Sequence, residues 1–149
     1  MDESLTLTAA AWLGIYGAMA IASVGSIIGC ARAGQAACGV MVDTEGPYGR
    51  YLGIAAMPSS QTIYGVVIML ALSRPITAAN APALFAIGTL AGLAQMFSAI
   101  YQGNCCVAAI NAGKNKPEVF GLSLAPAALV EGFAVFVLAF ALLFSAQIP

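Results

Sequence analysis

Four long apolar runs divide this chain, and the short segments between them hold most of its charged residues. The runs cover residues 9–42, 51–73, 83–112 and 122–144. A helix rises about 1.5 Å per residue, so each run is long enough to cross a hydrocarbon layer of about 30 Å. The pattern predicts four transmembrane helices, and the first and third, which are longest, are predicted to protrude from the membrane.

The composition agrees with a membrane protein. Hydrophobic residues make up 61% of the chain and charged residues 7%, and the mean hydropathy is +0.94. A soluble monomer could not keep so much apolar surface from water, which predicts an all-α, polytopic membrane protein. The net charge of −1 offers no basic patch, so no nucleic-acid partner is expected. The acidic start of the chain lacks the basic region of a secretory signal, and the first run is predicted to be retained.

The basic residues of the connecting segments predict the orientation. Arg50, Lys114 and Lys116 lie in the first and third connections, at residues 42–50 and 113–118, whereas the second connection has one basic residue. Basic residues are enriched in cytoplasmic loops. We therefore expect these two turns to be cytoplasmic and both termini to lie on the other side of a cell membrane.

The two halves of the chain are similar to each other. SIIGCARAGQAA at residues 26–37 parallels SAIYQGNCCVAA at residues 98–109, at an offset of 72 residues. MPSSQTIYGVV at residues 57–67 parallels APAALVEGFAV at residues 125–135, at an offset of 68 residues. The similarity predicts a tandem duplication in which the turn of the second copy has lost four residues.

The duplication predicts two helical hairpins, one of residues 1–78 with helices 1 and 2, and one of residues 79–149 with helices 3 and 4. The second hairpin alone has an acid in mid-membrane, because Glu131 aligns with Ile63 of the first. A carboxylate at that depth costs at least about 2.5 kcal/mol, so it indicates a functional site with a partner.

Small residues recur along the first run. Gly25 and Gly29 are four residues apart, and Ala33 and Ala37 continue the spacing. Small residues on one face let helix backbones approach closely in lipid, where packing holds helices together. This stripe predicts that helix 1 is closely packed against its neighbours.

The polar residues of the membrane region converge on one layer. Counted from the turns, Ser60, Gln61, Gln102 and Glu131 all lie roughly 20–24 Å along their helices. One face of helix 2 carries Met57, Ser60, Gln61 and Tyr64, and one face of helix 3 carries Gln95, Ser98 and Gln102. Buried amides and hydroxyls must satisfy one another or a ligand. For Gln95 we expect a packing role.

These groups supply the oxygen ligands that hard cations prefer. Pro58 distorts helix 2, which predicts that backbone oxygens near Met57 turn toward the site. With one anionic ligand, a monovalent ion leaves the site neutral, which favours Na⁺, with H⁺ as the alternative. Other interpretations are a protonated Glu131 that joins helices by hydrogen bonds, a stand-alone ion-coupled transporter and a structural tetraspan. A transporter would be expected to have discontinuous helices in both repeats and more ionisable groups.

The doubled hairpin and three segments carry a family resemblance. PSSQTIYG, IYQGN and LVEGFAV resemble the rotor-ring proteolipid, the K or c subunit, of V-type and related prokaryotic ATPases, and most closely the bacterial Na⁺-translocating form. The resemblance implies a Na⁺ site formed by Glu131, Gln102, Gln61, the Ser60 hydroxyl and the Met57 carbonyl, with the Tyr64 hydroxyl bonded to Glu131. The Na⁺ form has threonine where this chain has Ser60 and leucine where it has Met57.

The resemblance also implies the assembly. Copies of the chain would form a homo-oligomeric ring in membrane lipid, with helices 1 and 3 inside, next to a stator subunit with an essential arginine and a central-stalk subunit on the cytoplasmic side. ATP hydrolysis would occur on other subunits, because this chain has no ATPase site. Arg32 departs from the family pattern and is predicted to snorkel or to face the ring lumen.

Overall fold

The computed structural model describes residues 3–46 and 48–149, and these residues form helices and turns without any strand. The α-helices are α1 (Glu3–Asp43), α2 (Tyr48–Ala55), α3 (Ser60–Leu72), α4 (Ala81–Asn115), α5 (Phe120–Ser123) and α6 (Ala125–Ser145). Two short 3-10 helices, Met57–Ser59 and Pro117–Val119, precede α3 and α5.

These elements form four stretches that are long and apolar enough to cross a membrane. They are Glu3–Asp43, Tyr48–Leu72, Ala81–Asn115 and Pro117–Ser145, with 41, 25, 35 and 29 residues. The predicted all-α, four-span fold is therefore confirmed. The first and third spans are longer than the other two, as the run lengths predicted.

The second and fourth spans, predicted as helices at residues 51–73 and 122–144, each contain a break. A distortion at Pro58 was predicted, whereas the break in the fourth span was not. A 3-10 turn that contains Pro58 separates α2 from α3. A turn at Leu124, two residues before Pro126, separates α5 from α6. Proline has no N–H group for the helical ladder, which explains both breaks. The two breaks occur at equivalent positions of the two repeats. A transporter was expected to have such breaks, so their presence does not distinguish a transporter from the other interpretations.

The centre of the structure is a contact between α1 and α4, which run parallel. Gly14 faces Gly88, where an added Cβ would lie 2.0 Å from the Gly14 carbonyl oxygen. Gly29 faces Gly103, where an added Cβ would lie 2.4 Å from the Gly29 Cα. Such distances leave room for hydrogen atoms alone, so the two backbones are in direct contact.

The predicted small-residue stripe lies in this interface. Gly25, Gly29, Ala33 and Ala37 are all buried, and the two alanines have no exposed surface. By contrast, a Cβ added to Gly39, on another face of α1, would meet no atom within 4 Å. The spacing of four residues therefore identified the packed face of α1.

Polar contacts join the helices at both ends of the structure. At the hairpin turns, Lys114 forms a salt bridge with Asp43 over 2.5 Å. At the opposite end, Arg74 donates hydrogen bonds to the Ser145 hydroxyl, the Ser145 carbonyl and the Ile148 carbonyl. Arg74 thereby satisfies free carbonyls at the end of α6 and holds that end against the connection between α3 and α4.

Arg32 lies on the exposed side of the contact between α1 and α4. Its Nη1 donates a hydrogen bond to Asn104 Oδ1 over 3.0 Å. The two residues are 72 positions apart, the offset of the repeats, and so occupy equivalent places on α1 and α4. The guanidinium is thus held by a polar side chain on the neighbouring parallel helix.

The outer surface is strongly apolar, most of all along α6. Leu129, Phe133, Phe136 and Phe140 are each more than half exposed. An apolar groove of about 610 Å³ runs between α4 and α6 on this side. Surface of this kind needs lipid or another protein chain against it, in agreement with a membrane location.

The α1–α4 contact predicts that Gly103→Ala is strongly destabilising. The added methyl group would overlap the α1 backbone, so the helices must separate, at a cost of about 1–3 kcal/mol or more. Thermal unfolding of the detergent-solubilised protein, followed by circular dichroism, measures the effect. Gly39→Ala on α1 is the control and should be neutral or stabilising, since alanine favours helix by about 1 kcal/mol. Equal melting temperatures for Gly103→Ala and Gly39→Ala would contradict the close contact between α1 and α4.

Candidate functional site

Three helices bring the predicted polar residues together around Glu131. The proline turn after α2 places Ser60 and Gln61 in the first turn of α3, Gln102 projects from the middle of α4, and Glu131 lies in the second turn of α6. Gln61 and Gln102 are completely buried, whereas Glu131 is partly exposed on the outer side. The site is therefore built across the two repeats.

Both oxygens of the Glu131 carboxylate are hydrogen-bonded. The Tyr64 hydroxyl donates to Oε1 over 2.5 Å. Oε2 lies 3.0 Å from the Ser60 hydroxyl and 2.5 Å from Gln102 Nε2, which donates to it. Side chains from α3 and α4 thus hold the carboxylate from two sides.

The Ser60 hydroxyl lies among more acceptors than it can satisfy. Its oxygen is 3.0 Å from the Met57 carbonyl, 3.2 Å from Gln61 Oε1 and 3.0 Å from Glu131 Oε2. A hydroxyl has one hydrogen to donate, so it bonds one of these oxygens at a time. The Met57 carbonyl also accepts the Ser60 N–H, and Glu131 Oε2 accepts from Gln102. Four oxygens that include a carboxylate are thus gathered at one point, and such a set is the kind of ligand that hard cations prefer.

The two glutamine amides are bonded to each other beneath this cluster. Gln61 Nε2 donates to Gln102 Oε1 over 3.0 Å and to the Ser98 hydroxyl oxygen over 3.3 Å. Gln102 Nε2 donates to the Ala127 carbonyl over 3.2 Å as well as to Glu131. Gln61 therefore presents its oxygen to the site, whereas Gln102 presents its nitrogen. To act as the predicted oxygen ligand, the Gln102 amide would have to turn over.

A ladder of side chain to backbone hydrogen bonds connects α4 with α6. Gln95 donates to the Ala134 carbonyl over 2.9 Å, Ser98 to the Val130 carbonyl over 3.2 Å, and Gln102 to the Ala127 carbonyl over 3.2 Å. Gln95 Oε1 is buried without a partner among the described residues. The ladder fixes the rotation of α6 and thereby aims Glu131 at α3.

Two serines at equivalent positions of the repeats belong to the network but are not among the predicted site residues. Ser98 is in the predicted polar stripe, and its spacing of four residues from Gln102 puts both on one face. Ser26 has no predicted role, and its hydroxyl oxygen accepts a hydrogen bond from the Thr62 N–H over 3.2 Å. The alignment of Ser26 with Ser98 was the available signal.

Glu131 is accessible from the outer surface. It borders a groove of about 370 Å³ whose other lining residues are Gly53, Ala56, Met57, Ser59, Ser60 and Ile63. These residues lie in the break between α2 and α3 and in the helical turns on either side of it. An ion could therefore reach the carboxylate from the side of the molecule without crossing the α1–α4 contact.

The fold and the site define a class of membrane protein. The chain is a multi-pass helical protein built from two tandem repeats. A carboxyl group in the outer span of the second repeat is hydrogen-bonded by two hydroxyls and an amide. The first repeat has Ile63 where the second has this acid, so two copies of one hairpin have diverged in their chemistry.

Comparison with known proteins identifies the family. Residues 13–72 and 85–144 each match the family of the ATP synthase C subunit, so the chain belongs to that family as a tandem repeat. It is similar to the A-type ATP synthase subunit K of Methanocaldococcus jannaschii, with 31% identity over 126 residues, or 85% of this chain. The chain spans 57% of the length of that relative. The predicted resemblance to rotor proteolipids is thus confirmed at the level of the family.

The hydrogen-bond network predicts different effects for two glutamines on α4. Gln102→Leu removes bonds to Gln61, Glu131 and α6, and should destabilise the protein by roughly 2–4 kcal/mol. Gln95→Leu removes one bond together with an unpartnered oxygen, so its effect should stay within about 1 kcal/mol. Thermal melting of both purified variants tests this. If Gln102→Leu and Gln95→Leu lower the melting temperature by similar amounts, the network around Glu131 does not specifically stabilise the protein.

Proposed function

We propose that this chain is the rotor-ring proteolipid of a V-type or A-type rotary ATPase, and that each copy carries Na⁺ on Glu131 across the membrane. Transport is coupled to ATP hydrolysis on other subunits. Membership of the ATP synthase C-subunit family supports the rotor role. The assignment of Na⁺ rests on the position of the Ser60 hydroxyl, whose oxygen lies within 3.2 Å of three acceptor oxygens.

Na⁺ fits this cluster by charge and by ligand type. One carboxylate neutralises one monovalent cation, whereas a divalent ion would leave net charge in a low-dielectric layer. The proposed ligands are Glu131, Ser60, Gln61 and the Met57 carbonyl, with Gln102 as a fifth once its amide turns over. Tyr64 is not a ligand in this scheme, since its hydroxyl holds the carboxylate oxygen that faces away from Ser60.

H⁺ is the alternative cargo, and the two hydroxyls at Glu131 are compatible with it. Tyr64 and Ser60 lie within hydrogen-bond distance of the carboxyl group, and a hydroxyl can accept as well as donate. The same side chains can therefore hold a protonated Glu131. The rotor role would be the same, and the two cargoes differ in whether Na⁺ competes with protons for Glu131.

The proposed assembly is a homo-oligomeric ring in membrane lipid. The exposed apolar side chains of α6 and the groove between α4 and α6 supply surface for neighbouring copies and lipid. Glu131, partly exposed on the outer side, would meet a stator subunit whose arginine displaces the ion. In this scheme the hairpins are residues 1–78 and 79–149. The turns at residues 42–50 and 113–118 would face a central-stalk subunit in the cytoplasm, with both termini on the opposite side.

Carbodiimide labelling tests the cargo. Carbodiimides attack the protonated carboxyl group, so labelling of Glu131 should fall as pH rises. If Na⁺ occupies the site, labelling at fixed pH should also fall as Na⁺ is added. Mass spectrometry of the labelled protein measures both effects. Labelling that is unchanged up to saturating Na⁺ would exclude the Na⁺ assignment and leave H⁺ as the cargo.

Two variants sharpen this experiment. Gln61→Leu removes an oxygen donor at similar volume, so it should abolish protection by Na⁺ but keep labelling in acid. Glu131→Gln should abolish labelling and ion-coupled ATPase activity of the assembled complex, because no other carboxylate lies in mid-membrane. Residual labelling of Glu131→Gln in the membrane region would show that another residue reacts.

The ring assignment predicts a large, homogeneous oligomer. Four spans with so much exposed apolar surface, and with Glu131 at the edge, need neighbouring copies to enclose the site. Native mass spectrometry in mild detergent should detect one high-order multimer of the 15.1 kDa chain. Monomers and dimers alone would contradict the assignment.

A further inference from the structure

The orientation of the Gln61 amide decides whether the site can bind a cation. Its Oε1 faces Ser60 over 3.2 Å, and its Nε2 faces α4. If the amide turned over, two N–H donors would point at the oxygen cluster instead of a lone pair. That arrangement would repel a cation.

Gln102 holds this orientation only while its own amide keeps its present one. Its Nε2 donates to the Ala127 carbonyl and to Glu131, which can only accept, so its Oε1 faces Gln61. In the present arrangement Gln102 Oε1 accepts from Gln61 Nε2 over 3.0 Å. If Gln102 turned over to bring its oxygen to an ion, this hydrogen bond would be lost.

Ser98 provides a contact to Gln61 that remains if Gln102 turns over. Its hydroxyl donates to the Val130 carbonyl over 3.2 Å, and a carbonyl can only accept. The hydroxyl hydrogen is thereby used on α6, and lone pairs face the Gln61 amide. Gln61 Nε2 lies 3.3 Å from the Ser98 oxygen and is the end of the amide that can bond to it.

We propose that Ser98 is a positioning residue for ion selectivity: it holds the Gln61 amide with its oxygen toward Ser60 and Glu131, and so favours Na⁺ over H⁺. The inference rests on the proposed Na⁺ function. Ser98 does not touch the ion in this scheme and acts through Gln61. Its counterpart in the first repeat, Ser26, accepts a backbone N–H and orients no amide, so the role belongs to the second copy.

The test is Na⁺ protection against carbodiimide labelling in the assembled ring. Ser98→Ala leaves Gln61 Nε2 without its fixed acceptor, so the Na⁺ concentration for half-protection should rise roughly three- to tenfold, as expected for one lost hydrogen bond. The pH dependence of labelling without Na⁺ should stay the same, because Ser98 does not contact Glu131. Ser98→Thr keeps the hydroxyl and should restore protection, and Ser98→Cys, a weaker acceptor of similar size, should be intermediate.

Gln95→Leu is the matched control. Gln95 bonds α6 in the same ladder but has no contact with Gln61 in the described structure. Its half-protection concentration should equal that of the wild type. If Ser98→Ala is half-protected at the same Na⁺ concentration as the wild type, the inference is wrong. It is also wrong if Gln95→Leu raises this concentration as much as Ser98→Ala, because the hydrogen bonds between α4 and α6 would then act only by stabilising the helix packing. If Na⁺ does not protect the wild type against labelling, the proposed cargo is wrong, and Ser98 then has no role in Na⁺ selectivity.

Discussion

The direct contact between the backbones of α1 and α4 is the constraint on which the rest of the structure depends. Gly14 against Gly88 and Gly29 against Gly103 bring the two longest helices closer than side chains would permit. In lipid, apolar side chains gain little by leaving the solvent, so such packing has to supply the association. Because α1 occupies one face of α4, the polar stripe of α4 is left to face α3 and α6.

The two proline breaks then shape the outer spans around that central pair. Pro58 opens the second span into a 3-10 turn, and this brings the Met57 carbonyl and Ser60 to the same place. The break before α6 lies at the equivalent position of the second repeat, and it starts the helix that carries Glu131. A local defect in the helical ladder, inherited by both repeats, thus provides backbone oxygen and space at the depth of the carboxylate.

The site shows how a carboxyl group can be held at mid-membrane depth by neutral side chains. Glu131 has hydrogen-bond partners on α3 and α4, and the Met57 carbonyl and Gln61 Oε1 lie beside it around the Ser60 hydroxyl. In the proposed function these oxygens receive the cation. In the proposed scheme Gln61 and Gln102 are ligands of that cation, and Ser98, which does not touch it, orients Gln61.

The sequence by itself determined the four spans, the tandem repeat, the packed face of α1 and the residues gathered around Glu131. These follow from run length, from spacing and from the free-energy cost of polar groups in lipid, all of which act along a single helix. The tertiary structure alone decided that Gln102 faces Glu131 with its nitrogen, that Ser98 holds Gln61, and that the fourth span breaks at Leu124. Each of these depends on the relative rotation and position of three helices, and no spacing within one helix specifies how it is turned toward the others.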